Sequence, residues 1–251
     1  MAQALAESIS SSETTATIIA FDPDRARLAR FGAELPRFEA LDGNKAVADQ
    51  ADIIFLSVKP QFVPDVYPDL RHTDKLVVSI AAGIPISRLQ ANLPHARIIR
   101  VMPNTPCLVG EMAAGYALGA TAVGEDSRLV HRLLTAAGVA IQLDEPLLDT
   151  VTGLSASGPA FVARLIEAFI DAGVAGGLER DDARELTLAT FSGTANLLAK
   201  RGLSPDELIT MVSSKGGTTV AGRGVLEKSD YREVIEQTIQ AATNRSRELG
   251  S

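Results

Sequence analysis

The chain is 251 residues long, 46% hydrophobic and 22% charged, which admits one large domain or two ordinary ones and excludes a disordered chain. Its 31 acidic against 24 basic side chains give a formal charge of −7 and, with 4% aromatics, argue against nucleic-acid and anionic membrane partners. One cysteine, Cys107, excludes a disulfide framework, and no apolar run approaches the roughly 18 residues of a membrane span; the expectation is a soluble, cytoplasmic protein.

The first ten residues (MAQALAESIS) lack a basic leader ahead of a long apolar core, so they do not read as a secretory signal; their Ala and Leu predict a helix from the very first residue. Short apolar runs follow at Ala16–Phe21, Ile53–Val58, Leu76–Ile80 and Ile98–Met102, each closed by turn residues. They are too uniformly apolar for half-exposed strands and suit a parallel sheet covered on both faces. Helical stretches at Asp24–Arg30, Gly43–Asp49 and Val63–Leu70 alternate with them, so residues 1–144 read as a doubly wound α/β domain. From Glu145 onwards everything reads as helix. Val162, Leu165, Ile166, Phe169, Ile170 and Val174 form a broad apolar face, and Asp181–Lys200 is a further helix. Ser204-Pro205-Asp206-Glu207 is a helix start with a capping box, and a last helix runs from about Asp230 to Leu249. Residues 145–251 form the second, helical domain.

In an open α/β sheet ligands bind beyond the carboxyl ends of the strands. Those ends carry Asp22, Ser57-Val58-Lys59-Pro60, Ala81-Ala82-Gly83 and Met102-Pro103-Asn104, where small residues and prolines let a flat ligand lie against rigid backbone. Any one of them is equally well a plain turn; four in one sheet favour a nucleotide crevice. An acidic residue closing a strand, as Asp22 does, suits the ribose hydroxyls of a dinucleotide and repels a 2′-phosphate, which leans towards NAD; Arg25 and Arg27 soften that repulsion. Its plainer reading is a helix-capping Asp-Pro turn. The segment Val212–Thr219 (VSSKGGTT) places two glycines before a helix that begins at the threonines, an arrangement of exposed amides and hydroxyls that suits a small carboxylate; alone, it reads as an interhelical loop. Leu154–Phe161 (LSASGPAF) packs small residues at a helix entry, where something approaches closely. His72, His95 and His131 are scattered without metal spacing, and no metal is expected; Cys107 reads as a packing residue and Lys59 as crevice lining.

Five blocks together carry a resemblance: DIIFLSVKP (52–60), VVSIAAG (77–83), RVMPNTP (100–106), LSASGPAF (154–161) and SSKGGTT (213–219). In order and spacing, over essentially the whole chain, they closely resemble the pyrroline-5-carboxylate reductases. The resemblance implies a Rossmann-like domain followed by a helical dimerisation domain, and reduction of 1-pyrroline-5-carboxylate to L-proline by NAD(P)H, the last step of proline biosynthesis. Position by position it implies that Met1, Asp22, Asn44, Val58, Lys59, Pro60 and Ala82 line the cofactor and that Met102 and Pro103 flank the nicotinamide. The amides of Gly216, Gly217 and Thr218 are then expected to hold the substrate carboxylate, with the Thr219 hydroxyl, the one catalytic group, reaching the ring nitrogen and Glu145 on the substrate side. A homodimer or higher homo-oligomer is the expected assembly.

The chain departs from the family pattern at Lys215 (usually Pro), Ala156 (Gly) and Phe161 (Tyr), and above all at its start. Family members open with a strand and a Gly-x-Gly-Asn loop, and Met1 aligns just after that loop. The expected sheet therefore lacks its first strand, which is central in the order 3-2-1-4-5-6, so that its two neighbours lose their shared partner. The alternative reading is a truncated, catalytically impaired homologue acting as a dimeric interaction protein. A β-hydroxyacid dehydrogenase shares the two-part layout, but Lys200 lacks the Gly-x-x-x-Asn context such an enzyme needs.

Overall fold

The computed structural model describes residues 1–250. By packing, the chain divides into two compact units, Met1–Pro159 with the chain from Ile239 onward, and Ala160–Thr238.

The first unit opens on helix α1 (Ala2–Ser12), whose entry is the bond from Leu5 N–H to the Met1 carbonyl. Strand β1 (Ile18–Ala20), helix α2 (Arg25–Ala33), strand β2 (Phe38–Ala40) and helix α3 (Asn44–Gln50) follow. Next come β3 (Ile53–Leu56), α4 (Val63–Leu70), β4 (Leu76–Ser79), α5 (Ile86–Asn92) and β5 (Arg97–Met102). The strands β6 (Met112–Leu118) and β7 (Gly138–Gln142) flank helix α6 (Gly124–Thr135), and α7 (Leu148–Val151) closes the run. The four strands and three helices read from the sequence are present, within a residue or three of their expected limits.

These strands form two sheets. One holds β1 and β2 in parallel; the other has the order β3-β4-β5-β6-β7. Pairs β3/β4, β4/β5 and β6/β7 are parallel, whereas β5/β6 is antiparallel. Among the described residues no strand joins β1 to β3, and the expected loss of a shared neighbour is what the sheet presents. The all-parallel expectation is corrected at β6, which returns directly beside β5 through a short 3-10 turn at Thr105–Val109.

Side-chain alternation sends β5 to both faces. Ile98 joins a core with Val77, Ile54 and Leu56 under α4 and α5 (Tyr67, Leu70, Leu89, Leu93). Ile99 and Val101 join a second core with Leu76 and Val78 under α1 and α6 (Leu5, Val130, Leu134). A sheet buried on both sides explains why β4 is apolar at three of its four positions and inaccessible at all of them.

The second unit is helical. Helix α8 (Gly158–Ala175) leads into it, followed by α9 (Arg180–Arg201), α10 (Pro205–Val212) and α11 (Thr218–Leu226). Helix α12 (Tyr231–Gly250) begins there and ends in the first unit. The capping box that opens α10 is formed: Glu207 N–H donates to Ser204 Oγ at 3.2 Å, and Ser204 N–H to Glu207 Oε2 at 2.8 Å. The bonds that Glu207 Oε2 accepts from the Ser204 N–H and the Ser204 hydroxyl hold the Glu207 carboxyl below the usual carboxylate range. Among the described residues no helix is long and apolar enough to cross a membrane.

Candidate functional site

Because β3, β4 and β5 are adjacent and parallel, their carboxyl ends lie along one edge. Val58, Lys59 and Pro60 leave β3 there, Ala82 leaves β4, and Met102 and Pro103 end β5. Val58 leans on the core beneath the sheet, which fixes the loop, while Lys59 stays exposed with no ion-pair partner among the described residues. Gly83 holds a left-handed turn (φ 72°), and a side chain added to it would press on the Leu249 carbonyl at 3.3 Å; only glycine fits both demands. That turn leaves Ala82 exposed while Ala81 and Gly83 are buried. Met102 and Pro103 are buried rather than open to solvent.

Asp22 stands at the end of β1, on the smaller sheet. Its Oδ1 accepts the Asp24 N–H at 2.8 Å, and its Oδ2 lies 3.4 Å from Arg27 Nη1. Asp24, not Asp22, caps α2 by accepting the Arg27 N–H, and that bond holds the Asp24 carboxyl below its ordinary range. Arg25 lies over the Phe21 ring at 5.7 Å and bonds Asp42 and the Leu41 carbonyl. Asn44 opens α3 and donates to Asp69 at 3.2 Å. Met1 is the residue before α1, partly exposed.

Glu145 follows β7 and belongs to the first unit. Its Oε1 accepts two donors: the Ile86 N–H that starts α5, at 2.7 Å, and Arg100 Nη1, at 3.0 Å. Arg100 comes from the middle of β5 and is buried. Nearby, Asn104 receives the Ala113 N–H at 2.9 Å and donates to the Ser155 carbonyl at 3.3 Å, while Ser155 Oγ donates to the Ala113 carbonyl at 2.6 Å. The segment at 154–161 is thus tied to the end of β5. Gly153, just before it, is where α12 approaches: an added Cβ would lie 2.5 Å from Thr243 Oγ1 and 2.8 Å from the Ile239 carbonyl. In the sequence Asn104 stands only among the strand ends of the crevice, and Arg100 carries no role. A lone cation inside the apolar run Ile98-Ile99-Arg100-Val101-Met102 was the available signal.

In the second unit, Ser213–Gly217 forms the expected turn and α11 begins at Thr218. Gly216 holds a left-handed conformation (φ 73°). The Gly217 amide is used within the turn, donating to the Ser214 carbonyl at 3.0 Å. The amides of Gly216, Thr218 and Thr219 take no acceptor from the described residues, and the last two belong to the first turn of α11, where no intrahelical acceptor exists. Both threonines are exposed. His72, His95 and His131 all lie on the surface; His131 Nδ1 is 3.4 Å from the Tyr116 hydroxyl. Cys107 is buried, and burial pushes its thiol pKa up.

Comparison with known proteins adds three kinds of likeness. Residues 145–249 match the family model for pyrroline-5-carboxylate reductase dimerisation, and residues 1–83 match that for NADP oxidoreductase, coenzyme F420-dependent. The pyrroline-5-carboxylate reductase of Pisum sativum is 43% identical over 212 residues, covering 83% of this chain and 78% of that protein. A solved pyrroline-5-carboxylate reductase from Coxiella burnetii superposes with a TM-score of 0.93 at 29% identity, over 100% of this chain and 94% of the other. The Plasmodium falciparum pyrroline carboxylate reductase, solved with NADP bound, gives 0.83 at 30% identity, over 99% and 94%.

Proposed function

The chain belongs to the pyrroline-5-carboxylate reductase family, and from that premise we propose that it reduces 1-pyrroline-5-carboxylate to L-proline with NAD(P)H as the last step of proline biosynthesis. Residues 1–144 serve the cofactor in this reading, and residues 145–251 serve substrate and dimerisation, the second range agreeing with the span of the dimerisation model.

The observation that carries the reading is the opening of α11. Amides without acceptors and two exposed hydroxyls at a glycine turn form an anion cradle, and the carboxylate of a pyrroline carboxylate is an anionic group such donors bind. Gly216 and Thr218 are the donors; Gly217 contributes the bend, since its own N–H is occupied. The Thr219 hydroxyl oxygen accepts a hydrogen bond from the protonated ring nitrogen, which keeps its proton.

The first unit's strand tips suit a dinucleotide. Lys59 is a cation without a partner among the described residues at the edge where phosphates are expected, Ala82 offers bare backbone for close approach, and a side chain at Gly83 would be strained. Asp22 faces the ribose, Met1, Asn44, Val58 and Pro60 line the cofactor, and the buried Met102 and Pro103 form a rigid wall for the nicotinamide. Arg27 beside Asp22 offsets part of the carboxylate's repulsion of a 2′-phosphate. Bound NAD(P)H supplies the hydride. The protein's own task is to orient: with the ring nitrogen protonated, the C=N carbon is already electrophilic, the hydride forms its new C–H bond there, and the C=N electron pair stays on nitrogen, giving the neutral amine of proline. No histidine or thiol nucleophile is needed for this.

A cytoplasmic homodimer is the working form in this reading, and the exposed apolar surface of the second unit supports the dimer. Val162, Leu165, Phe169, Leu186, Met211 and Val212 are exposed, more apolar surface than an isolated helical unit keeps in water. One experiment tests these statements. The purified chain is mixed with 1-pyrroline-5-carboxylate and NADH or NADPH, and the same sample is weighed by light scattering. Oxidation of the cofactor with formation of L-proline by a particle of at least two chains is expected. No turnover with either cofactor at any enzyme concentration overturns the activity and favours the interaction-protein alternative; a single-chain mass overturns the dimer.

A further inference from the structure

Arg100 is the one charged residue in the sheet interior, and its surroundings make it unusual. It lies between Ser79 of β4 and Ala117 of β6, on the face of β5 shared with Ile98, and only 6% of its side chain is accessible. Burying a guanidinium is costly unless its charge and its donors are matched. Here one match exists, Nη1 to Glu145 Oε1 at 3.0 Å, while Nε is buried with no hydrogen-bond partner. A purely structural strand position is filled more favourably by an apolar side chain, as at Ile98, Ile99 and Val101 on either side.

Glu145 shows what the arrangement achieves. One oxygen, Oε1, receives both Arg100 and the Ile86 N–H, from two different elements of the fold, so the carboxylate plane is pinned. The other oxygen, Oε2, takes no bond from the described residues, and the side chain keeps 29% of its surface accessible. A carboxylate fixed through one oxygen and open at the other is ready to accept a hydrogen bond. Two residues beyond Arg100 on the same strand and face is Met102, the first residue of the proposed nicotinamide wall.

We infer that Arg100 is a positioning residue for the reduction: it orients the Glu145 carboxylate so that the negatively charged Oε2 faces the positive charge of the protonated imine. This rests on the proposed reductase activity, with Glu145 on the substrate side. Arg100 itself does not touch the substrate. Only Nη1 reaches the carboxylate, so what Arg100 supplies is a charged donor at a fixed place; a lysine ammonium, a compact point charge on a flexible stem, does not hold it in the same way.

The test is a double-mutant cycle on the full chain with Arg100→Lys, Glu145→Gln and the double variant, read by kcat and KM for each substrate and by thermal melting. Arg100→Lys is expected to lower kcat/KM for the imine about tenfold, as a carboxylate displaced by a fraction of an ångström does, with KM for the nicotinamide cofactor unchanged. Glu145→Gln is expected to cost more, and the double variant no more than Glu145→Gln alone, because a residue acting through another adds nothing once that other is gone. Losses that multiply in the double variant, an unchanged Arg100→Lys, or a KM for cofactor that rises in step with KM for the imine overturn the inference and leave Arg100 a packing residue. If Arg100→Lys does not fold, Arg100→Met, an apolar side chain that gives Glu145 no donor, takes its place in the cycle under the same criteria. An unaltered chain that turns over while the cycle is additive removes only the role of Arg100; an unaltered chain without turnover removes the reductase reading and this inference with it.

Discussion

Cys107 sits in the 3-10 turn after β5, wedged among Ala4, Val101 and Met112 in the core beneath α1. Burial raises its thiol pKa, so the folded chain keeps the proton through the range in which an unfolded thiol loses it. Between those two values the unfolded state holds fewer protons than the folded one, and stability falls as pH rises; below the ordinary thiol value, about 8.5, both states are protonated and nothing is lost. Urea unfolding at neutral pH and at about pH 9.5 is therefore expected to show an alkaline loss of stability that Cys107→Ala reduces. Equal slopes for the two proteins would show that this thiol is not shielded. Tyr67 presents a related case: its hydroxyl is buried without a partner, and burial raises its pKa too. Since an unsatisfied buried hydroxyl costs about 1–3 kcal/mol, Tyr67→Phe is expected to raise stability by about 1 kcal/mol in the same titration, and a loss would mean the hydroxyl is satisfied in solution.

At the scale of elements, the end of α12 is bound to the first unit by close approach. Ser246 Oγ donates to Asp149 at 2.7 Å, Thr243 is buried, and Gly153 leaves room for the helix backbone. Gly153→Ala forces α12 away from the turn before α8 and is expected to destabilise the chain by about 2 kcal/mol, the scale of overpacking a closed core. A midpoint of denaturation equal to that of the parent would show that the helix end yields freely. Much at this scale was legible in the sequence. Runs buried on both faces, such as Leu76–Ser79, announce themselves by being apolar throughout, and the Ser204 capping box states its helix outright. β2, three residues with its last two exposed, has no such pattern, and β6 (MAAGYAL) is mostly Ala and Gly, which have little strand preference. The site divides in the same way. The glycine–threonine turn follows from local chemistry, whereas the pairing of Arg100 with Glu145 joins residues 45 apart in the chain and needs the fold to bring them together. Only the family resemblance pointed to Glu145 beforehand.

Across the whole molecule the two units differ in how they are held. The first is built on two dense cores, while most of the second unit's large apolar side chains remain accessible, which is why its stability is expected to depend on a second copy. Within the first unit the sheet is interrupted: β1 and β2 are laddered to each other and not to β3, and Ile19 reaches the main core only through its side chain. Parallel strands gain their cooperativity from continuous ladders, so this seam sets a boundary to it. Deuterium uptake at Ile18–Ala20 and Phe38–Ala40 is expected to be complete before Val77–Ser79 or Ile98–Val101 begin to exchange; uniform protection across both sheets would mean the seam closes in solution. If exchange follows that order, Asp22, carried at the end of β1, opens with the small sheet, and under the reading proposed above the hold on a cofactor ribose becomes a matter of how often that flap is shut.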